Sequence, residues 1–375
     1  MLSKLQVQHY KSLFDTEITL EPLTVFIGPN GSGKSNICES LSVLSSFFQA
    51  ISNPQDYDMQ GLFTKYTQKT GSNQSFESKF WQGQLNYLVF KASSLTIEDD
   101  PPSEEGKNIT ELSLGIDYPE QLIFAKASSK DYVRNKYTER VRSELIGSGV
   151  FDSEIFSALK KVEVYDFSPA ALARVVGSSV TSMNRTGEGI AYALVDILHA
   201  DRQGFDELEE RLRQLLPNIS RIVLPRGNNQ SFSLELIDKY SDHHIPSSDI
   251  SDGSLRIIAF LTALYQEDTP SIICFEEIEN GVHPWLLHKM VELLKIVSTE
   301  GISGQPVQVL ITTHSPTLLN YVDPHQVRAV EIDKEGKTQV HTLPTDSARF
   351  RKALEAYDGD LGELWFTDQF GGNPA

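Results

Sequence analysis

Apolar and polar residues alternate at strand spacing from the start of the chain. Leu5, Val7 and His9 alternate with Gln6 and Gln8, residues 16–20 read as a second strand, and residues 23–27 (LTVFI) are apolar enough to be buried on both faces. A glycine-rich turn follows, and then residues 35–48 carry Ile37, Leu41, Leu44, Phe47 and Phe48 at helical spacing. Between about 50 and 240 the pattern loosens. Residues 51–79 and 99–108 are rich in Asn, Gln, Ser, Asp and Pro and read as loops, while 81–98 and 109–118 read as strands. Residues 131–145 suggest a polar helix, 206–216 a stronger helix stopped by Pro217 and Asn218, and 231–238 a strand. Regularity returns after 245, with an apolar helix over 253–266, a strand over 271–275 and an amphipathic helix over 284–298 with Pro284 at its first position. A buried strand over 306–315 and a hairpin of 327–333 with 338–343 complete the pattern.

Strands alternating with helices at both ends of the chain predict an α/β fold, one nucleotide-binding domain split by a long insertion. Residues 1–50 form its N-terminal half, 51–240 a mixed α+β insertion or lid, 241–345 its C-terminal half and 346–375 a tail. A length of 375 residues suits that arrangement. No run of about 18 apolar residues is present and residues 1–13 lack an apolar signal region, so a cytoplasmic protein is expected, with no membrane contact. The two cysteines, Cys38 and Cys274, lack metal spacing and read as core residues. The formal charge of −18 argues against a surface that grips nucleic acid as a whole.

Residues 28–35, GPNGSGKS, fit G-x-x-x-x-G-K-[ST] between a strand and a helix, the context this phosphate loop requires. Asn30, Gly31, Ser32, Gly33, Lys34, Ser35 and Asn36 would then surround the phosphates of a nucleotide. The backbone N–H groups turn inward, Lys34 reaches the β- and γ-phosphates, and the Ser35 hydroxyl takes a Mg²⁺ position. Such a site needs a second strand that brings a carboxylate to the metal and another to the attacking water. Residues 275–284, FEEIENGVHP, can supply both: Glu276 toward Mg²⁺ and Glu277 toward water. Ser251 is a candidate helix cap before the apolar helix.

These elements resemble the ABC-type ATPases of the RecF/SMC/OLD kind, a class of P-loop NTPases. The resemblance rests on GPNGSGKSN (28–36), SDGSLR (251–256), EEIENGVHP (276–284) and THS (313–315), with LGELWFTDQFGG (361–372) resembling the end of a group of bacterial AAA-type ATPases. It implies a mixed sheet flanked by helices and an ATP-gated head-to-tail homodimer. Ser251, Gly253 and Ser254 of one copy would meet the γ-phosphate held by the other, and His314 would be the switch histidine. His283 falls near the place of a dimer-seam residue. Relatives often have Asp at 276 and Pro at 278, where this chain has Glu276 and Ile278. A glutamine of the transporter type is not assigned among Gln60, Gln82 and Gln84. Weaker echoes are VYDFSP (164–169) and RTGEGIAYAL (185–194). The absence of a long heptad run excludes a long coiled-coil arm.

OLD-type relatives continue into a Toprim nuclease, for which the residues after His314 leave no room, so a separate nuclease or effector chain is expected, in an anti-phage defence complex. Two other readings stand beside it. A RecF-like repair ATPase would bind DNA directly, through a basic run of Lys126, Lys130, Arg134, Lys136, Arg140 and Arg142 that could touch DNA or RNA. A nucleotide-locked scaffold would turn over little.

Overall fold

The computed structural model describes residues 1–53, 62, 87–94, 111–117, 122–127, 130–131, 135–136, 153–177, 182–227, 231–266, 268–302 and 304–372. They fall into two units, one of residues 1–162 with 308–375 and one of 163–307.

In the first unit β1 (Leu2–Tyr10) and β2 (Leu13–Thr19) form an antiparallel hairpin with Leu5 opposite Ile18 and Val7 opposite Thr16. The alternation read from the sequence thus turns Leu5, Val7 and Ile18 into the core, each fully buried. The turn between them puts Lys11 in the left-handed region at φ 51° and leaves Ser12 beside it. Next come β3 (Leu23–Ile27), buried at all five positions, and α1 (Lys34–Ser52), which buries Ile37, Leu41, Leu44, Phe47 and Phe48 as its spacing predicts. The other edge of β1 pairs with β4 (Tyr87–Ser94), which continues through β5 (Glu111–Asp117) to β6 (Leu122–Ala127), all antiparallel.

The polar helix expected over 131–145 is not what begins there. Residues β7 (Lys130–Asp131) and β8 (Asn135–Lys136) both pair with β6, and the remainder of that stretch lies outside the described residues. A sheet edge offers a row of backbone donors and acceptors, which short polar strands satisfy without needing an apolar face. Of the basic run, Arg134, Arg140 and Arg142 lie outside the described residues, as do Gln60, Gln82 and Gln84 and nearly all of the loops expected over 51–79 and 99–108. Helix α2 (Glu154–Leu159) is capped by Ser153, and the Leu159 carbonyl accepts from Ser45 Oγ of α1 at 2.7 Å.

The second unit opens with β9 (Val162–Tyr165), whose first residue closes the first unit, and α3 (Pro169–Leu172). Helix α4 (Ile190–Ala200) is apolar almost throughout, and α5 (Arg202–Leu215) is amphipathic, burying Phe205, Leu208, Leu212 and Leu215. A three-stranded antiparallel sheet follows: β10 (Ile219–Val223), β11 (Glu235–Asp238) and β12 (His244–Pro246). The strand expected over 231–238 is therefore regular only from Glu235, with an isolated bridge from Phe232 to Arg226 before it. Then come α6 (Asp252–Leu264), β13 (Ile272–Glu276), which lies beside β9, and α7 (Pro284–Thr299). Between these elements Tyr165, Phe167, Phe260 and Phe275 form an aromatic cluster with centroids 5.2–6.2 Å apart. Burial, with Glu163 nearby, pushes the Tyr165 hydroxyl well above its ordinary pKa, and Gln266 Nε2 donates to it at 2.7 Å.

The chain returns to the first unit with β14 (Gln308–Thr313), parallel to β3 on one side, while β15 (Val327–Ile332) is parallel to β3 on the other and antiparallel to β16 (Thr338–Thr342). Helix α8 (Pro316–Leu319) follows β14, and α9 (Ala348–Ala356) and α10 (Leu361–Phe366) follow β16. Gln308 fastens this return: its side-chain carbonyl accepts from Leu2 N at 2.9 Å and its amide donates to Leu2 O at 2.7 Å. Cys38 and Cys274 are both buried. Among the described residues no helix is long and apolar enough to cross a membrane.

Candidate functional site

The phosphate loop leaves β3 at Ile27 and enters α1 at Lys34, so it is suspended between a buried strand and a helix N-terminus. Gly33 caps that helix at φ 103°, and a Cβ there would lie 2.1 Å from Thr338 Oγ1. Only glycine fits both the torsion and the approach. Thr338 Oγ1 donates to the Ser32 carbonyl at 2.8 Å and contacts Ser12 Oγ at 2.7 Å, and Asn36 Nδ2 donates to Ser12 Oγ at 2.8 Å. The loop therefore rests on a platform of small hydroxyls from the β1–β2 turn and from β16. Neither Ser12 nor Thr338 was singled out from the sequence, and Asn36, expected at the nucleotide, is engaged with this platform.

Lys34 is only 5% exposed, and its Nζ donates to the carbonyls of Gly28 at 2.8 Å and Pro29 at 2.9 Å. Ser32 is buried, and its Oγ has no hydrogen-bond partner among the described residues. A buried hydroxyl without a partner costs about 1–3 kcal/mol, and it sits two residues from a buried ammonium. This donor set fits a phosphate chain. Asn30, Gly31 and Ser35 are exposed around it. At the end of β14, Thr313 Oγ1 accepts from Ser315 N at 2.9 Å, and His314 between them is half-buried.

The acid strand β13 belongs to the second unit. Glu276, its last residue, is buried, and its Oε1 accepts from Arg185 Nη2 at 2.5 Å. Glu277 follows with φ 47°, a left-handed torsion that costs a residue with a Cβ about 1–2 kcal/mol. Asn280 holds it there: its backbone N–H donates to Glu277 O at 3.0 Å and its Nδ2 to Glu277 Oε2 at 2.6 Å. Ile278, where relatives often have Pro, is buried. Two adjacent carboxylates thus leave the strand with different partners, one a cation and one an amide. A metal site of this kind draws its oxygens from one hydroxyl, one carboxylate, water and phosphate. Among the described residues no cluster of three or more His, Cys, Asp or Glu occurs.

The SDGSLR stretch begins α6. Ser251 is its N-cap, accepting from Ser254 N at 3.3 Å and donating to Ser254 Oγ at 2.9 Å. Gly253 lies so close to the loop after Glu277 that a Cβ on it would be 2.2 Å from Gly281 O. His283 caps α7, its Nδ1 accepting from Trp285 N at 3.2 Å. The structure thus brings Ser251, Gly253 and Ser254 onto one helix start beside the Glu277–Gly281 turn. The sequence reading assigned no role to Arg185 or Asn280. Asn280 lies within the quoted acid stretch and Arg185 within RTGEG, but neither carries a spacing that names its partner.

Residues 1–168 match the family model described as an AAA ATPase domain, and residues 153–320 match the AAA domain described as putative AbiEii toxin, Type IV TA system. The chain is 28% identical over 362 residues to the OLD nuclease of Thermus scotoductus, a match covering 91% of this chain and 64% of that protein. The chain therefore spans a little under two thirds of the length of this curated relative. The fold is similar to an Smc head bound to the C-winged helix domain of ScpA, with a TM-score of 0.56 at 14% identity over 92% of this chain and 98% of that one. It is also similar to an Smc head domain with an extended coiled coil bound to the C-terminal domain of ScpA, derived from Pyrococcus furiosus, with a TM-score of 0.53 at 14% identity over 95% and 99% of the two chains. The two parts of the chain thus each resemble an AAA domain, the whole is similar in sequence to an OLD nuclease, and the fold is that of an SMC-head-like P-loop domain.

Proposed function

We propose that this chain binds ATP with Mg²⁺ and hydrolyses it, and that nucleotide joins two copies head to tail. The observation that carries the reading is the phosphate loop itself: a buried Lys34 ammonium and a buried Ser32 hydroxyl with no hydrogen-bond partner among the described residues, between a strand and a helix N-terminus. Asn30, Gly31, Ser32, Gly33, Lys34 and Ser35 bind the phosphates, with Asn36 keeping the loop on its platform. Ser35 and Glu276 hold the metal, which when bound neutralises charge on the phosphate oxygens. Glu277 orients and polarises water, and His314 contacts the γ-phosphate. Ser251, Gly253 and Ser254 of the second copy close the site with a hydroxyl pair and a helix start.

We assign the output to a separate nuclease or effector chain in an anti-phage defence complex. The 28% identity to an OLD nuclease supports a nuclease output, and sequencing the chains that co-purify with the native protein tests whether that output lies on a separate chain. The ATP reading is tested by calorimetric titration of Lys34→Ala. Loss of two to three charge-assisted hydrogen bonds, at about 1.5–3 kcal/mol each, abolishes measurable binding. Unchanged affinity in that variant sinks the assignment. Steady-state hydrolysis near zero in the wild type, with nucleotide bound, identifies a nucleotide-locked scaffold instead.

A further inference from the structure

The carboxylate that ends the acid strand already has a fixed cation beside it. Glu276 and Arg185 are 91 residues apart in the chain, yet Arg185 Nη2 lies 2.5 Å from Glu276 Oε1. The Glu276 side chain is 7% exposed and the Arg185 side chain 36%. A buried carboxylate is sustained by a paired, hydrogen-bonded charge. Arginine is the residue that stays charged whatever surrounds it.

The loop that delivers this arginine is tied at nearly every step. The Arg185 carbonyl accepts from Asp166 N at 2.9 Å and the Thr186 carbonyl from Ser168 N at 3.0 Å. Asn184 O accepts from Gly187 N at 2.9 Å, Asn184 N donates to Glu188 O at 3.0 Å, and Asn184 Oδ1 accepts from the amides of Thr186 and Glu188 at 3.0 and 3.1 Å. The two stretches noted in the sequence as VYDFSP and RTGEG are therefore one structure, and its product is a guanidinium held against Glu276. The neighbouring Glu277 accepts from the Asn280 amide at 2.6 Å.

We propose that Arg185 is a positioning residue that sets the orientation and the effective charge of Glu276 toward the divalent cation. This rests on the reading of Glu276 as the metal-side carboxylate. Arg185 touches neither nucleotide nor water in this role; it acts through Glu276. Partners of a metal-binding carboxylate alter metal affinity or activity by about 10–100-fold when removed.

The test uses the full chain as wild type, Arg185→Gln, Arg185→Lys, Glu276→Gln and the double variant. Mn²⁺ binding is followed by electron paramagnetic resonance with the non-hydrolysable analogue adenylyl-imidodiphosphate, and circular dichroism reports folding. Arg185→Gln raises the Mn²⁺ concentration for half-occupancy by about 10–100-fold, and Arg185→Lys gives an intermediate rise. In the Glu276→Gln background the Arg185→Gln effect shrinks to about twofold or less, as required of residues that act as a pair. Arg185→Lys retains the positive charge that balances Glu276, so it reads the proposal even if Arg185→Gln does not fold. Half-occupancy unchanged or lowered in the Arg185 variants, or a full effect that persists without the Glu276 carboxylate, overturns the proposal. A wild type with no nucleotide-dependent Mn²⁺ signal overturns the ATP reading instead, so the two failures are distinct.

Discussion

The phosphate loop and the acid strand both end a fully buried strand, β3 in one unit and β13 in the other, but they secure their chemistry differently. The phosphate loop works through backbone. Its torsions are set by glycine, its underside is propped by the Ser12 and Thr338 hydroxyls, and its one charge, Lys34, lies against main-chain carbonyls. The acid strand works through side chains. Glu276 and Glu277 each depend on a named partner, Arg185 or Asn280, from a loop of its own unit. A backbone cradle is robust to its neighbours and written in one short stretch. A buried carboxylate and its half-buried neighbour are only as good as the groups that pair with them.

The sharpest break between the two sides comes from Glu277→Gln. Removal of a general base lowers hydrolysis by about 10²–10⁴-fold while nucleotide affinity stays near wild type. Single-turnover hydrolysis beside equilibrium binding measures the split, and closed dimers accumulate in gel filtration with ATP. Unchanged turnover shows that another residue positions the water.

Gly253→Ala strikes the same side by sterics. A methyl 2.2 Å from Gly281 O forces the α6 start and the Glu277 turn apart. The expected cost is about 1–3 kcal/mol of stability, read as a lowered Tm, because overpacking displaces backbone on both sides. Tm equal to wild type means that the contact gives way freely and that the signature helix and the turn are not coupled.

Asn280→Ala removes the amide that holds Glu277 in its left-handed turn. Losing one hydrogen bond to a charged group costs about 1.5–3 kcal/mol, so kcat falls roughly 10–100-fold with KM for ATP unchanged. A change confined to KM places Asn280 in binding instead.

Ser12→Ala is the mildest, and it probes the backbone side. The loop loses two neutral hydrogen bonds from its platform at about 1 kcal/mol each, and nucleotide affinity weakens a few-fold without change in kcat. A loss of kcat with intact affinity reverses the division of labour drawn between the two sides.

The same contrast explains what could be read from the sequence. The torsions of the phosphate loop depend on residues beside one another, so GPNGSGKS and its flanking strand and helix were legible at once. So were β13, α7, β14 and the β15–β16 hairpin, where apolar runs meet proline or turn residues. Arg185 was not, because an ion pair across 91 residues leaves no periodicity. The Ser12–Thr338 platform spans 326 residues and is equally silent. Helix α4 escaped because IAYALVDIL is apolar on nearly every face, so it lacks the polar stripe that marks a helix against a strand. The 131–145 stretch was misread at its start for the opposite reason: its polar residues suit a helix surface and a sheet edge alike. His283 was legible only as a residue before a proline, and its ring turned out to cap the helix that the proline begins.

The hydroxyl platform also bears on timing. Thr338, which props residues 28–35, follows them by some 300 residues. At about 5–20 residues per second the ribosome needs roughly 15–60 s to deliver that prop. Gln308, which ties back to Leu2 across 306 residues, arrives almost as late. A nascent chain therefore displays the full phosphate-loop sequence long before the loop has its floor. The phosphate loop gains its floor only once β16 docks beside the β1–β2 turn.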